Sequence, residues 1–100
     1  MGRLLAILTP MLMVAHWASA QPPPPMPYPG VPPPRFEPVP PPRGSRYVWE
    51  PGHWHWNGAA YAWIPGRYVV RHPHYAHYVP GHWRWAPRRG AWVWEPAHWQ

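Results

Sequence analysis

The fold of this chain is decided by residues 49–54, WEPGHW, and by three later copies of the same pattern. The copies read WIPGRY at residues 63–68, YVPGHW at 78–83 and WEPAHW at 94–99. Their starts lie 14, 15 and 16 residues apart, and the Pro-Gly or Pro-Ala pair holds the same place in each. Repetition at this spacing indicates one small structural unit that is used several times.

Aromatic residues around the copies recur at every second position. Such pairs are Tyr47 and Trp49, Trp54 and Trp56, Tyr61 and Trp63, Trp83 and Trp85, and Trp92 and Trp94. A period of two is typical of β-strands, whose side chains point to the two faces in turn. We therefore predict a mostly β fold: a small antiparallel meander or curled sheet of short Trp-rich repeat hairpins, formed by residues 47–100, after a disordered Pro-rich segment.

Turn residues predict how the strands pair. Pro-Gly suits the two central positions of a type II turn, so each copy is expected to contain a chain reversal. Asn57-Gly58 is a signal for a two-residue hairpin loop, and residues 72–74 and 87–90 are expected to form loops of three and four residues. The expected cross-strand pairs are Trp54 with Tyr61, Tyr68 with Tyr78, Trp83 with Trp94 and Trp85 with Trp92.

The first twenty residues have the pattern of a secretory signal peptide. Arg3 supplies the positive charge, residues 4–14 form a short apolar run, and Ala18-Ser19-Ala20 is a cleavage pattern of small residues. The protein is therefore expected to be exported, and periplasmic or secreted after cleavage near Ala20. No transmembrane span is expected in the mature chain.

Residues 21–46 form a separate low-complexity segment with thirteen prolines. Proline fixes φ and has no N–H, so such a segment is unsuited to a central strand or a helix interior. We expect an extended polyproline II linker, acting as a stiff spacer. The repeats that follow contain nine Trp and five Tyr but few aliphatic residues. Their aromatic side chains must therefore supply the core, with Trp56 and Trp99 as the expected exposed exceptions.

The repeat resembles the YXWGXW, or WXXGXW, family of bacterial exported proteins. Tyr47, Trp49, Gly52 and Trp54 match the motif literally, whereas the later copies carry substitutions such as Tyr68 for the last Trp. The resemblance implies a small exported protein with no established biochemical activity, and it carries over no catalytic or binding residues. The expected structural positions of the repeat are Trp49, Gly52, Trp54, Trp63, Gly66, Tyr68, Gly81, Trp83, Trp94 and Trp99.

The residue inventory argues against an enzyme. A nucleophilic mechanism needs Ser, Cys or Thr, and after residue 20 the chain has only Ser45, outside the repeats. Glu50 and Glu95 occupy the same repeat position, so repetition accounts for both without a catalytic role. No cofactor is expected.

Charge points instead to an anionic partner. After residue 20 the chain has eight Arg against three Glu and no Lys or Asp. Arg binds carboxylate and phosphate groups in a bidentate manner. Period-two alternation is expected to bring one set of cations, together with His77, to the face opposite the aromatics. The hypothetical anion-binding residues on this face are Arg67, Arg71, Arg84, His53, His55 and His82. The alternative is a solvated face with Arg stacked on Trp.

A second hypothetical site is the cluster His72, His74 and His77, because neutral imidazoles at such spacing can hold Zn, Cu or Ni. The alternative is that these histidines are structural. The function that follows is a non-enzymatic structural or interaction module of the cell envelope. Two alternatives remain open: binding of an anionic envelope polysaccharide or lipid, and metal binding through histidine. The partner is expected to be an anionic envelope polymer or a protein, and not nucleic acid.

Overall fold

The structure is a computed structural model that describes residues 2–11 and 21–100. The predicted cleavage pattern Ala18-Ser19-Ala20 lies outside these residues. Within them the chain forms no helix, and hence none that is long and apolar enough to cross a membrane. Eight short strands are formed, as the mostly β prediction requires: β1 Tyr47–Glu50, β2 His53–Trp56, β3 Tyr61–Ile64, β4 Arg67–Val70, β5 Tyr78–Val79, β6 His82–Ala86, β7 Ala91–Glu95 and β8 His98–Trp99.

The strands pair as two nested hairpins. In the first hairpin, residues 47–70, β2 pairs with β3 near the turn and β1 pairs with β4 at the base. In the second hairpin, residues 78–99, β6 pairs with β7 and β5 pairs with β8 in the same way. All four pairs are antiparallel, and each is a separate two-stranded sheet. Each hairpin is therefore one long ribbon that is interrupted once along its length.

The interruptions are the Pro-Gly pairs, and the prediction that the chain reverses there is wrong. Both strands of the first hairpin continue past the break in the same direction, into β2 and into β4. Gly52, Gly66 and Gly81 are not among the positive-φ glycines of the described chain, which are Gly58 (φ 100°) and Gly90 (φ 61°). Proline cannot donate to a strand ladder, so the pair interrupts the hydrogen bonding without turning the chain.

The break also keeps the aromatic residues in phase. Trp49 and Trp54 are five positions apart, and an odd separation in a continuous strand would send them to opposite faces. Instead, the Trp54 indole donates to the carbonyl of Pro33, and Trp49 lines a cavity of about 680 Å³ against the same proline-rich segment, at residues 37–43. The interruption at Pro51-Gly52 thus places both halves of the aromatic pattern on one side.

The two hairpin turns differ in how well the sequence predicts them. The loop at residues 87–90 sets Trp83 opposite Trp94 and Trp85 opposite Trp92, as predicted. At the first turn Tyr61 lies opposite Trp56 rather than Trp54. The reason is a longer turn: the Asn57 side-chain oxygen accepts hydrogen bonds from the N–H groups of Ala59 and Ala60, both at 2.9 Å.

The predicted pairing of Tyr68 with Tyr78 is also wrong. Tyr68 lies opposite Trp49 and Tyr78 lies opposite Trp99. Residues 71–77 therefore link the bases of two hairpins instead of joining neighbouring strands. Backbone hydrogen bonds extend both bases into this link: the Arg71 N–H donates to the Arg46 carbonyl at 2.7 Å, and His77 and Gln100 exchange two bonds.

The core consists of half-buried aromatic rings. Ala86, 7% exposed, is the one hydrophobic residue of the described chain that counts as buried. Six cross-strand aromatic pairs lie in register, with ring centroids 4.9–5.7 Å apart and rings steeply inclined: Trp49–Tyr68, Trp54–Trp63, Trp56–Tyr61, Tyr78–Trp99, Trp83–Trp94 and Trp85–Trp92. Edge-to-face pairs stabilise by about 0.5–1.5 kcal/mol each beyond their buried area.

Side chains join the two hairpins. The Trp83 indole donates to the Tyr61 hydroxyl at 2.9 Å, and the Trp56 and Trp83 rings lie 5.4 Å apart. At the other end the Trp99 indole donates to Glu50 at 2.9 Å. The expectation that Trp56 and Trp99 are exposed is therefore wrong, because both rings pack at the junction between the hairpins and are half-buried.

Candidate functional site

The most developed site of the molecule is an aromatic groove in which the chain's own proline-rich segment lies. We define the groove by Trp54, Tyr61, Trp63, Tyr68, Trp83 and Trp92, and the docked segment as residues 24–40. Four groove side chains donate hydrogen bonds to proline carbonyls: Trp92 to Pro24 at 3.0 Å, Trp54 to Pro33 at 2.9 Å, Tyr61 to Pro29 and Tyr68 to Pro40. The expected free spacer is thus held along the repeats.

The contacts follow the order of the chain. Pro24 binds at the turn end of the second hairpin, and Pro29 and Pro33 follow on the turn half of the first hairpin. Pro40 then reaches Tyr68, near the base of the first hairpin, just before the chain enters β1. Residues 24–40 therefore run from one hairpin across to the other and along it. A segment rich in proline suits this path because its carbonyls are not used in a strand ladder.

Tyr28 is the aromatic anchor of the docked segment. Its ring stacks on Trp83, with centroids 4.6 Å apart and planes inclined by 18°. The same ring lies 5.4 Å from Trp56. Tyr28 therefore covers the place where the two hairpins meet.

Two charged residues hold the middle of the segment. The Arg35 guanidinium lies 4.9 Å from the ring centroid of Trp54 and 5.8 Å from that of Trp63, which is the geometry of a cation–π contact. The Glu37 carboxylate accepts hydrogen bonds from the Trp63 indole at 2.6 Å and from the Gly66 N–H at 2.8 Å. These two bonds, the Gly66 one above all, lower the pKa of Glu37 from its ordinary value.

Glycine in the repeat makes room for a tryptophan from the opposite strand. A Cβ on Gly52 would collide with the Trp63 ring, one on Gly66 with the Trp49 ring, and one on Gly81 with the Trp94 ring. In the fourth copy Ala97 stands where glycine is expected. The residue diagonally across the ladder, in the place that Trp49, Trp63 and Trp94 take in the other three combinations, is Tyr78, whose direct partner is Trp99. Alanine and tyrosine thus replace glycine and tryptophan in the same diagonal combination.

The predicted anion-binding residues are not assembled into one open basic face. Arg67 pairs with Glu50 at 3.3 Å, and Arg84 and His82 approach Glu95 at 3.1 and 3.6 Å. The His53 ring is hydrogen-bonded to the carbonyl of Pro51, two residues earlier, at 3.1 Å, and His82 and His98 repeat this contact with Pro80 and Pro96. His55 is half-buried in β2, whereas Arg71 is exposed at the base of the first hairpin.

The predicted metal-binding histidines are not gathered as ligands either. The His72 and His74 rings lie 5.8 Å apart, and the His72 Nδ1 accepts a hydrogen bond from the His74 N–H at 3.1 Å. His72 also stacks on Tyr75 at 4.3 Å, and His77 joins the backbone ladder with Gln100. Across residues 2–11 and 21–100, no three potential ligand side chains meet in a way that fits a metal ion.

Sequence reasoning missed Tyr28, Arg35 and Glu37, because all three lie in a segment that was interpreted as a spacer. A signal was present. These are aromatic and charged residues among prolines, and the repeats carry a row of Trp and Tyr that a thin sheet cannot bury alone.

Comparison with known proteins agrees with the repeat architecture. The family model described as the WXXGXW repeat matches in two copies, at residues 44–67 and 71–100. The first stretch contains most of the first hairpin and ends one residue before the second sequence copy does, and the second stretch contains the whole second hairpin with the third and fourth copies. A family copy therefore corresponds to one nested hairpin. Neither the curated proteins nor the solved structures contain a match.

Proposed function

The chain belongs to the WXXGXW repeat family, and from this premise we propose that it is an exported, non-enzymatic structural or interaction module of the cell envelope. The observation that carries the non-enzymatic part is the use of its carboxylates. Glu37 binds Trp63 and Gly66, Glu50 binds Trp99 and Arg67, and Glu95 binds Arg84. These carboxylates accept hydrogen bonds within and between the hairpins and across the contact with the docked segment, so their role is structural.

Export rests on the signal-peptide pattern of residues 1–20. The test is to fractionate cells that produce the full chain and to sequence the N-terminus of the recovered protein. The proposal expects the protein outside the cytoplasm with a first residue at or near Gln21. Recovery of cytoplasmic protein that still begins with Met1 would contradict export, and with it the envelope role.

A second candidate function is binding of an anionic envelope polymer. Within the described part of the chain, Arg67 and Arg84 form ion pairs with Glu50 and Glu95, whereas five further arginines are exposed and form none: Arg43, Arg46, Arg71, Arg88 and Arg89. Exposed charges of one sign attract an opposite charge over a Debye length of about 8 Å at physiological ionic strength. The free cations favour an acidic polysaccharide or anionic lipid as the partner.

Two sets of substitutions separate the free cations from the paired ones. The test measures retention of the full chain on vesicles with anionic headgroups and on an acidic polysaccharide, at rising salt. Replacing Arg71, Arg88 and Arg89 by Gln removes three of those five arginines and is expected to weaken salt-sensitive binding. Replacing Arg67 and Arg84 by Gln is the matched control, with a smaller expected loss because Glu50 and Glu95 already neutralise them. Equal loss in both sets, or binding that ignores salt, would argue against this candidate.

A further inference from the structure

The docked segment meets the groove in the manner of a bound peptide. Proline carbonyls without partners in a ladder face outward in an extended segment, and indole and phenol donors receive four of them here. Grooves lined by aromatic residues with donors at their edges are the usual way in which proteins recognise proline-rich peptides. The same elements occur here within a single chain.

The donors occupy an equivalent place in every copy of the repeat. The last aromatic residue of the first copy, Trp54, donates to Pro33, and that of the second copy, Tyr68, donates to Pro40. In the third and fourth copies Trp83 donates to Tyr61 and Trp99 donates to Glu50. At this repeat position the first hairpin therefore directs its donors at the proline-rich segment, and the second directs its donors at the first hairpin; Trp92, at another position of the second hairpin, also donates to the segment.

Three non-proline side chains of the docked segment contact the groove. Tyr28 stacks on Trp83, Arg35 lies over Trp54, and Glu37 receives the Trp63 indole and the Gly66 N–H. The carboxylate binds at the break where Pro65-Gly66 interrupts the strand, because that backbone N–H is free of the ladder. A ligand that fits must combine an extended proline-rich backbone with a Tyr and a downstream Arg-x-Glu.

We propose that the groove is a recognition site for extended proline-rich peptides with these three side chains, and that residues 24–40 fill it as an intramolecular ligand. This goes beyond the envelope role and does not depend on it. Tethering raises the effective concentration of the segment at the groove to the millimolar range. A second peptide therefore competes poorly until the tethered segment is released.

The test uses the full chain with Tyr28→Ala, Arg35→Ala and Glu37→Ala combined, which removes the three contacting side chains and leaves the repeats unchanged. Hydrogen exchange of the indole N–H groups is the readout. Exchange at Trp54, Trp63 and Trp92 is expected to speed up at least tenfold in the variant. Trp99, which donates to Glu50 away from the segment, is the internal control and keeps its parent rate.

A synthetic peptide of residues 22–42 is then added in trans. The proposal expects it to bind the triple variant and to restore slow exchange at Trp54, Trp63 and Trp92. It should bind the parent at least tenfold more weakly, because the site is filled. The control peptide carries the same three alanine substitutions and should not bind. A folded triple variant that ignores the parent peptide, or equal binding to parent and variant, would overturn the proposal.

Folding of the variant is checked by the near-ultraviolet circular dichroism of its Trp residues. If the triple variant is unfolded, the milder Glu37→Gln variant replaces it, with Trp63 exchange and peptide binding as readouts. If this single change also unfolds the chain, residues 24–40 are an obligatory part of the fold, and the recognition proposal is rejected.

Discussion

The ring of Trp94 lies over Gly81 across the second hairpin, so close that a Cβ on the glycine would stand 2.5 Å from the ring carbon Cζ2. The same relationship joins Trp63 to Gly52 and Trp49 to Gly66. It explains why tryptophan and glycine recur together in the repeat: the tryptophan ring of one strand packs where a side chain on the glycine of the other strand would lie. The tryptophan and the glycine that contact each other therefore come from two different copies of the repeat, on opposite strands of one hairpin.

Gly81→Ala is therefore expected to destabilise the protein by about 1–3 kcal/mol, the usual cost of overpacking. Gly44→Ala is the control, because no atom lies within 4 Å of its added Cβ. Urea unfolding followed by Trp fluorescence measures both. Adding Trp94→Tyr to Gly81→Ala reproduces the combination of tyrosine and alanine that the chain has at Tyr78 and Ala97, and we expect the double variant to regain part of the loss. Strictly additive losses would show that the ring does not need the glycine.

Two tyrosines provide a matched comparison of hydroxyl groups. Tyr61 accepts a hydrogen bond from Trp83 and donates one to Pro29, so Tyr61→Phe should cost about 1–3 kcal/mol. The Tyr78 hydroxyl is buried with no hydrogen-bond partner among the described residues. Tyr78→Phe should therefore be neutral, or stabilising by up to about 1 kcal/mol. Thermal unfolding of both variants checks the ranking, and a greater loss for Tyr78→Phe would contradict it.

The ionisation of Tyr78 gives an independent test of that burial. Removal from water, with a smaller effect of the Glu50 charge, raises the pKa of Tyr78 to about 12. A raised pKa in the folded state means that the neutral phenol contributes stability up to the ordinary value of 10.0 and that this is lost as pH approaches 12. Absorbance titration should show a late ionisation step in the parent that Tyr78→Phe lacks.

Docking of the proline-rich segment should depend on acid through Glu37. Its pKa is lowered by the Gly66 and Trp63 hydrogen bonds from an ordinary value of 4.5. Because the pKa is lower in the folded state, the ionised Glu37 carboxylate makes its full contribution to stability above pH 4.5. That contribution is lost as the pH falls through the folded-state pKa. The charge of Arg35 beside it also favours the ionised carboxylate, and Arg43 and Arg67 line the adjoining cavity.

The measurement is the Trp63 indole N–H resonance between pH 7 and pH 2, read for exchange and for chemical shift. Release should begin below pH 4.5 in the parent. Glu37→Gln should show no such step, which also separates Glu37 from the other two glutamates. A parent profile that matches that of Glu37→Gln would mean that the carboxylate does not hold the segment.

The first turn offers a prediction about register. Asn57 accepts two backbone N–H bonds through its side chain, and these favour a four-residue loop over the two-residue loop that Asn-Gly usually forms. Asn57→Ala should lose about 1 kcal/mol of stability. Asn57→Asp retains the acceptor and should lose less. Chemical denaturation of the two variants makes the comparison, and equal losses would assign no role to the side-chain oxygen.

Several features followed from the sequence because they depend on near neighbours. Alternation of aromatic residues is a local property of a strand, and it predicted the strands and their shared aromatic face. The loop at residues 87–90 closes between strands that continue without interruption, so counting from it predicted the pairs Trp83 with Trp94 and Trp85 with Trp92. The four copies likewise predicted a repeat architecture with aromatic side chains as its core.

Other features were decided only in three dimensions. Pro-Gly has a local preference for a turn. In the first hairpin, however, two Pro-Gly pairs face each other, and in the second a Pro-Gly pair faces Pro-Ala. The ladders on both sides of each break keep the strands in their original direction. Whether Glu50 pairs with Arg67 or contacts a ligand likewise depends on strand register. Composition alone does not specify register, which depends on turn geometry and on which face is buried. A one-residue slip would exchange the two faces and so change every such contact.

The position of residues 24–40 was the largest difference. By itself the segment is determined to be extended, because proline restricts φ and removes N–H donors. Where an extended segment lies depends on partners far along the chain: Trp92 is 68 residues from Pro24, and Tyr61 is 32 from Pro29. The sequence by itself determined strands, repeats and an extended proline segment. Only the tertiary structure decided that the aromatic face and the segment cover each other, because the indole N–H groups and the unpaired proline carbonyls can hydrogen-bond only where the fold brings them together.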